Sequence, residues 1–360
     1  MSKRTYSRII GTGSFVPHIV VKNEEFLNRE FLDESGGKYD KTNSEIVEKF
    51  QQITTIDERR YAGDEMVTSD LGFEAAKRAI ESAGISGEEL DHIIFAHNFG
   101  DVKKGSNRSD FVPSLASRVK SRLGIENPGS VCYDIAFGCP GWLQAVVQAD
   151  YLIRSGDFNK VLVIGAEVLS RVSDPHDRDS MIYSDGAGAV VLQGEISTEP
   201  KGILGHSARS DAHQYSQMLH MGASYHPNGL NEGNIYLKMN GRKLYQYALT
   251  YVPQAIKDCL DKCEIPIGDV SKLLIHQANG KMDEAILKRL YKLYGEKNVP
   301  DHIMPMTISW LGNSSVATIP TLLDLILRGE LENHQLEEGQ IVVLASVGAG
   351  MNINALVYRM

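Results

Sequence analysis

An internal repeat is the feature of this 360-residue chain that most limits what it can fold into. The stretch from Ala76-Lys77-Arg78-Ala79-Ile80 to Ile93-Ile94-Phe95 aligns without gaps on Ile256-Lys257-Asp258-Cys259-Leu260 to Leu273-Leu274-Ile275, 180 positions later. Ala76, Ala79, Ile80 and Ala83, and likewise Ile256, Cys259, Leu260 and Cys263, follow the i, i+3, i+4, i+7 spacing of a buried helix face. Each helix then leads through an acidic turn into a short apolar run. At the same offset Lys160-Val161-Leu162-Val163-Ile164 falls on Gln340-Ile341-Val342-Val343-Leu344, a second pair of buried strands. The pattern predicts an α/β fold of two duplicated, layered halves with pseudo-twofold symmetry, each running strand, helix, strand, helix, strand. We place the halves at 1–200 and 201–360, because turn residues between Gly194 and Gly205 follow the strand Ala189-Val190-Val191-Leu192. Glu30 to Ser44 and Asp211 to Asn234 lack sustained periodicity and read as inserted surface or entrance segments.

Composition works by exclusion. At 42% hydrophobic and 23% charged the chain is neither disordered nor collagenous, and a net charge of −9 argues against a dedicated nucleic-acid binder. No apolar run reaches the roughly 18 residues of a membrane span, and the apolar stretch after Met1-Ser2-Lys3-Arg4 is too short for a signal peptide. The expectation is a cytoplasmic protein without a membrane span. Cys132, Cys139, Cys259 and Cys263 do not form a disulfide framework, and none of their spacings is C-x-x-C. Any special cysteine is then special for its reactivity.

Cys139 is the candidate. It stands in Ile135-Ala136-Phe137-Gly138-Cys139-Pro140-Gly141-Trp142, where a β-run ends at Gly138 and Pro140 suits the first helical position. A thiol at a helix N-terminus gains from free N–H groups and the helix dipole, which favour a thiolate and an oxyanion. The other three cysteines read as small buried hydrophobes. A thiolate acting on a carbonyl needs further donors. His276 lies just past the end of the buried strand Leu273-Leu274-Ile275, and Asn313 opens a helix running from Val316 to Ile326. That helix holds the same ordinal place in its half as the helix after Cys139, so symmetry brings Cys139, His276 and Asn313 to one centre. The Gly348-Ala349-Gly350 turn can offer a backbone N–H to the same place.

At these residues the chain resembles the β-ketoacyl-acyl carrier protein synthase III family, condensing enzymes of the thiolase superfamily, over nearly its whole length. The matching stretches are Thr54 to Ala62, Gly72 to Ala76, Phe137 to Gly141, Asp174-Pro175-His176-Asp177-Arg178, Asp185 to Ala189, His276-Gln277-Ala278-Asn279 and Gly312-Asn313-Ser314-Ser315. The resemblance implies a thiolase-like fold and a decarboxylating Claisen condensation of an acyl thioester with malonyl-acyl carrier protein. It makes Cys139 the acyl-accepting nucleophile and sets His276 and Asn313 on the malonyl thioester carbonyl. The N–H groups of Cys139 and Ala349 become the oxyanion hole of the acyl step. It further implies a homodimer in which the loop at Val112 reaches the partner's acyl pocket, Arg178 at the substrate, and Lys281, Lys288 and Arg289 docking an acidic carrier protein. The substrates are acyl-CoA and malonyl carrier protein, with no cofactor and no metal.

Departures from the family pattern concern the donor. The Trp and Arg that clamp the CoA adenine in typical initiating synthases fall on Lys49 and Ile53, the usual Phe before the glycine run is Val347, and its middle glycine is Ala349. Longer acyl donors, as in specialised acyl pathways, fit these changes. Two same-fold alternatives are a non-decarboxylating acyltransferase and a catalytically silent carrier-protein-binding partner. Gly11-Thr12-Gly13 lacks the third glycine of a dinucleotide loop, since Val16 stands there, and His206, His213, His220 and His226 have no partners at metal-ligand spacing.

Overall fold

The computed structural model describes residues 3–228 and 233–360. Two mixed sheets form the frame. The first contains β1 (Arg4–Phe15), β2 (His92–Ala96), β3 (Val131–Ile135), β4 (Lys160–Val168) and β5 (Asp185–Ser197), in the order β1-β5-β4-β2-β3. The second contains β6 (Gly202–Ser210), β7 (Val270–Ile275), β8 (Ile341–Gly348) and β9 (Asn352–Arg359), in the order β6-β9-β8-β7. Parallel pairs join β2 to β3 and β4, and β7 to β8; the remaining pairs are antiparallel. The sheets are therefore mixed, and the second has no counterpart of β3.

Side-chain alternation along these strands decides the layering, because successive residues point to opposite faces. Ile94, Val161, Val163, Val190 and Leu192 of the first sheet, and Leu274, Val342, Leu344 and Leu356 of the second, share one core with α4 (Gly141–Ser155) and α7 (Thr318–Leu327). Their alternates Ile93, Phe95, Leu162 and Ile164 face outward onto α2 (Thr68–Ala83) and α3 (Leu115–Arg122). In the second sheet Leu273, Ile275, Val343 and Val357 face α5 (Gly241–Lys262) and α6 (Gly280–Leu293). The result is five layers, helix–sheet–helix–sheet–helix, with α4 and α7 buried between the sheets.

The 180-residue repeat is visible in the elements. One-turn helices at Gly87–Glu89 and Leu169–Arg171 recur at Ile267–Asp269 and Ala349–Met351. Register breaks at Ile9/Gly11 in β1 and at Ile203/Gly205 in β6 occupy matching places. Gly11 and Gly13 press against the backbone of α2, where any side chain would collide with Ala79 and Ala75, so these glycines serve helix–strand packing. Of the two inserted segments, Glu30 to Ser44 buries Phe31 and Leu32, the latter donating its N–H to the His176 carbonyl. Asp211 to Asn234 carries the strand Leu219–Ala223, paired with Ile235–Met239; its residues 229–232 lie outside the described residues. Among the described residues no helix is long and apolar enough to cross a membrane.

Candidate active site

Both sheets end at one cavity of about 830 Å³, whose wall includes Cys139, His276, Asn313 and Ala349. The Cys139 loop differs from the sequence expectation in register. β3 stops at Ile135 rather than Gly138, and Pro140 (φ −70°, ψ 0°) is the cap of α4, its carbonyl accepting the Gln144 N–H at 2.9 Å. Cys139 therefore sits one residue before the cap and outside the helix. Gly138 (φ +71°) makes the turn possible, since a β-carbon there would stand 2.7 Å from the Ala349 nitrogen, and one on Gly348 would stand 2.5 Å from the Cys139 nitrogen. Glycine at both places lets the turn of one half touch the turn of the other.

The electrostatics correct a second expectation. Burial pushes the Cys139 thiol up to about 11, a hydrogen bond with Ser315 opposes the rise, and Glu167 adds to it. Desolvation outweighs the helix terminus here, because a charged sulfur in the cavity wall loses more hydration than the capped first turn returns. His276 extends the ladder of β7, its N–H donating to the Ala345 carbonyl at 2.9 Å. It is 5% exposed, burial drives its imidazole down to about 4 against a backbone hydrogen bond with Ser315, and its Nδ1 has no partner. The ring is therefore neutral near pH 7.

Asn313 does not open a helix as expected. Ser315–Ala317 form a single tight turn and α7 begins at Thr318. Asn313 is instead clamped to the first half, its N–H donating to the Ile182 carbonyl at 3.0 Å and its carbonyl accepting from the Ser184 N–H at 2.8 Å. Its side-chain Oδ1 accepts the Ser315 N–H at 2.8 Å, which turns the amide Nδ2 away as the remaining donor.

Three neighbours of these residues escaped sequence reasoning. Asn98, just past β2, accepts the Gly138 N–H at 2.8 Å and donates to Glu167 at 2.6 Å and to the Ser315 hydroxyl at 3.4 Å. Glu167 is fully buried on β4. One signal was available: Glu167 is the lone ionisable residue in the apolar run Val161 to Val168, and Val347 holds its place 180 positions later. Ser315 has φ +54°, a left-handed conformation that costs a non-glycine residue about 1–3 kcal/mol and is found at functional sites.

The other candidate residues are spread over the same end of the molecule. Arg178, Lys49, Ile53 and Val347 line the cavity, with Arg178 stacked 4.8 Å above the Tyr39 ring. Lys41 and Arg242, unremarked in the sequence, line it too. Val112 projects 85% exposed beside exposed Phe111, away from this chain's cavity wall. On α6, Lys281 is exposed, Lys288 lies 3.8 Å from Glu284, and Arg289 donates to the Leu249 carbonyl at 3.1 Å. Among the described residues no cluster of three or more His, Cys, Asp or Glu side chains is arranged to hold a metal ion.

Comparison with known proteins gives the family. A family model described as 3-oxoacyl-(acyl-carrier-protein) synthase III matches residues 133–212, and its C-terminal counterpart matches residues 260–360. The chain is 32% identical over 352 residues to a β-ketoacyl-(acyl-carrier-protein) synthase III of Staphylococcus saprophyticus, covering 98% of each chain. The crystal structure of the 3-oxoacyl-(acyl-carrier-protein) synthase III of Aquifex aeolicus is similar with a TM-score of 0.79 and 29% identity, covering 98% of this chain and 100% of that one. The corresponding Pseudomonas aeruginosa structure has a TM-score of 0.80 and 27% identity, covering 98% of each. With both family segments matched and a relative aligned almost from end to end, the chain belongs to the 3-oxoacyl-(acyl-carrier-protein) synthase III family of thiolase-fold condensing enzymes.

Proposed function

We propose that Cys139, His276 and Asn313 carry out a decarboxylating condensation between an acyl thioester and malonyl carrier protein, with 1–200 supplying the nucleophile and 201–360 the His and Asn. The observation that carries this reading is their common cavity, a neutral thiol on one wall and a neutral imidazole and a free amide N–H on the other. The Cys139 sulfur attacks the acyl thioester carbonyl, and the thiol proton leaves with the departing CoA or carrier thiol. The N–H groups of Cys139 and Ala349, brought together by the close approach of Gly138 to Ala349 and of Gly348 to Cys139, receive the oxyanion. Malonyl thioester then binds with its carbonyl on His276 and Asn313. Loss of CO₂ leaves an enolate whose carbon attacks the acyl carbonyl, and the Cys139 sulfur departs as a thiolate that takes a proton from solvent as the β-ketoacyl thioester forms.

The substrates of this reading are acyl-CoA or acyl carrier protein and malonyl carrier protein, with no cofactor. The enzyme works in the cytoplasm as a homodimer, Val112 and Phe111 entering the partner's pocket, and Lys281, Lys288 and Arg289 meet the carrier protein. Basic Arg178 at the mouth receives the phosphate-bearing arm. The test is intact-mass measurement after exposure to acyl-CoAs of several lengths. An acyl adduct on Cys139 that Cys139→Ala abolishes, followed by malonyl-dependent CO₂ release, is expected. Turnover without CO₂ release points to a plain acyltransferase, and an adduct on Cys132, Cys259 or Cys263 rejects the site.

A further inference from the structure

Glu167 is a buried acid that the condensation, as written above, does not use. It lies on β4 with 0% exposure, in the alternating row of Val161 and Val163 that faces α4 and α7. Its Oε1 accepts from Asn98 Nδ2 at 2.6 Å, and its Oε2 is buried with no partner. The same Asn98 amide accepts the Gly138 N–H at 2.8 Å and reaches the Ser315 hydroxyl at 3.4 Å. Ser315 in turn bonds the Cys139 thiol, donates its N–H to Asn313 and shares a backbone hydrogen bond with His276. One amide thus connects a buried carboxyl to every reacting group.

Asn98 has two ways to point. The Gly138 N–H can only donate and so takes Oδ1, and the Glu167 Oε1 acceptor holds Nδ2 at the other end of the amide in that same sense. Charge enters through the same carboxyl. Burial pushes it up to about 8, and the two ionisable groups that act with it are Asp185 on β5 and Cys139. Asp185 is itself satisfied by the Ala62 and Ser170 N–H groups, the Ser170 hydroxyl and the nearby Arg171. Cys139 is left to feel a carboxylate when one forms.

We propose that Glu167 is the positioning residue of this site: it holds the Asn98 amide so that one side chain serves both the Gly138 N–H and the Ser315 hydroxyl, and its charge state bears on the Cys139 sulfur. The proposal rests on Cys139 as the acyl acceptor, yet its charge component is testable without any acyl substrate. Alkylation of Cys139 by iodoacetamide, followed by peptide mass spectrometry from pH 6 to 10, reports thiolate formation directly. E167Q keeps the acceptor and the shape but cannot ionise. Its alkylation rate should match that of the unaltered chain within about twofold near pH 7 and exceed it threefold or more at pH 9.5 and above, where the native carboxyl is charged and opposes the thiolate. A ratio that stays level across this range overturns the charge role.

Acyl loading tests the positioning role. E167L, which removes the acceptor, should lower the loading rate constant tenfold or more at unchanged KM, and E167Q should restore it to within about threefold. Equal rates for the two variants overturn the positioning role, and so does a loss confined to KM. If the alkylation profile behaves as expected while no acyl-CoA or acyl carrier donor loads the native chain, the condensing reading fails and Glu167 keeps its place beside Cys139.

Discussion

Ser315 shows how much of this site depends on single atoms. Its N–H holds the Asn313 amide, its hydroxyl touches both Asn98 and Cys139, and its left-handed backbone permits all of these from one residue. Because Asn313 Oδ1 is occupied by Ser315, the amide N–H is what Asn313 has left to offer, and the proposed reaction would use it on the enolate oxygen. Asn313→Ala should therefore keep acylation of Cys139 and lose malonyl decarboxylation by roughly 10²-fold, the cost of one oxyanion donor. Equal loss of both half-reactions speaks against this division. His276 sharpens the expectation through pH. Its ring is depressed to about 4 by burial, so protonation does not intervene between its ordinary value and that pH. Malonyl decarboxylation should stay level from pH 7 to 5, whereas an acidic limb near 6.5 means an imidazole open to water. Stability carries the same sign: the unfolded chain takes up a proton at this histidine that the folded chain refuses, so acidification from 6.5 toward 4 erodes stability. Cys139, His276 and Asn313 were legible because each sits at a break in a periodic segment. Asn98 and Ser315 were not, since a short polar residue after a strand or before a helix has the same appearance whether it caps, turns or catalyses.

Among the elements, α6 joins the site to the exterior. Asn279 caps it through the Met282 N–H at 3.1 Å, Met282 faces the cavity, and Lys281, Lys288 and Lys292 share a neighbouring, exposed face. A helix with one face on the acyl cavity and a basic face outside suits a carrier that delivers a substrate from solution. Exposed charges act chiefly on encounter and are screened by salt. Lys288→Glu with Arg289→Glu should slow carrier-dependent turnover at low salt and spare loading from free acyl-CoA. If loading from both donors falls alike at every ionic strength, the charges serve the helix and not the carrier. Arg289 tests this most severely, because one of its donors already bonds the Leu249 carbonyl. At this scale the repeat was the reliable guide, and the element ends were not. Pro140 is compatible with both a cap and a first helical residue, and only the path forced on Gly138 by Ala349 chose the cap.

For the whole molecule, the cavity exists because two sheets from different halves stop at the same depth over the starts of α4 and α7. Its mouth carries Lys41, Lys49, Arg178 and Arg242, and its wall carries the apolar Phe50, Ile182, Leu237 and Met239. Lys49 and Ile53 offer no flat cation–aromatic pair for a base, a contact worth about 0.5–2 kcal/mol. The apolar wall instead rewards each buried methylene by about 0.8 kcal/mol. Longer acyl-CoA or acyl carrier donors should accordingly exceed acetyl-CoA in kcat/KM. A clear preference for acetyl-CoA, unchanged by Lys49→Trp with Ile53→Arg, removes the argument from the mouth. The amino-acid order alone determined the duplicated α/β architecture and the family, and it singled out Cys139, His276 and Asn313, which share one cavity, because hydrophobic periodicity and breaks in it are local properties of the chain. Only the tertiary structure decided the protonation states and the network of Asn98, Glu167 and Ser315. A pKa and a hydrogen-bond partner depend on which groups share a volume from which water is excluded, and those groups come from opposite halves of the sequence.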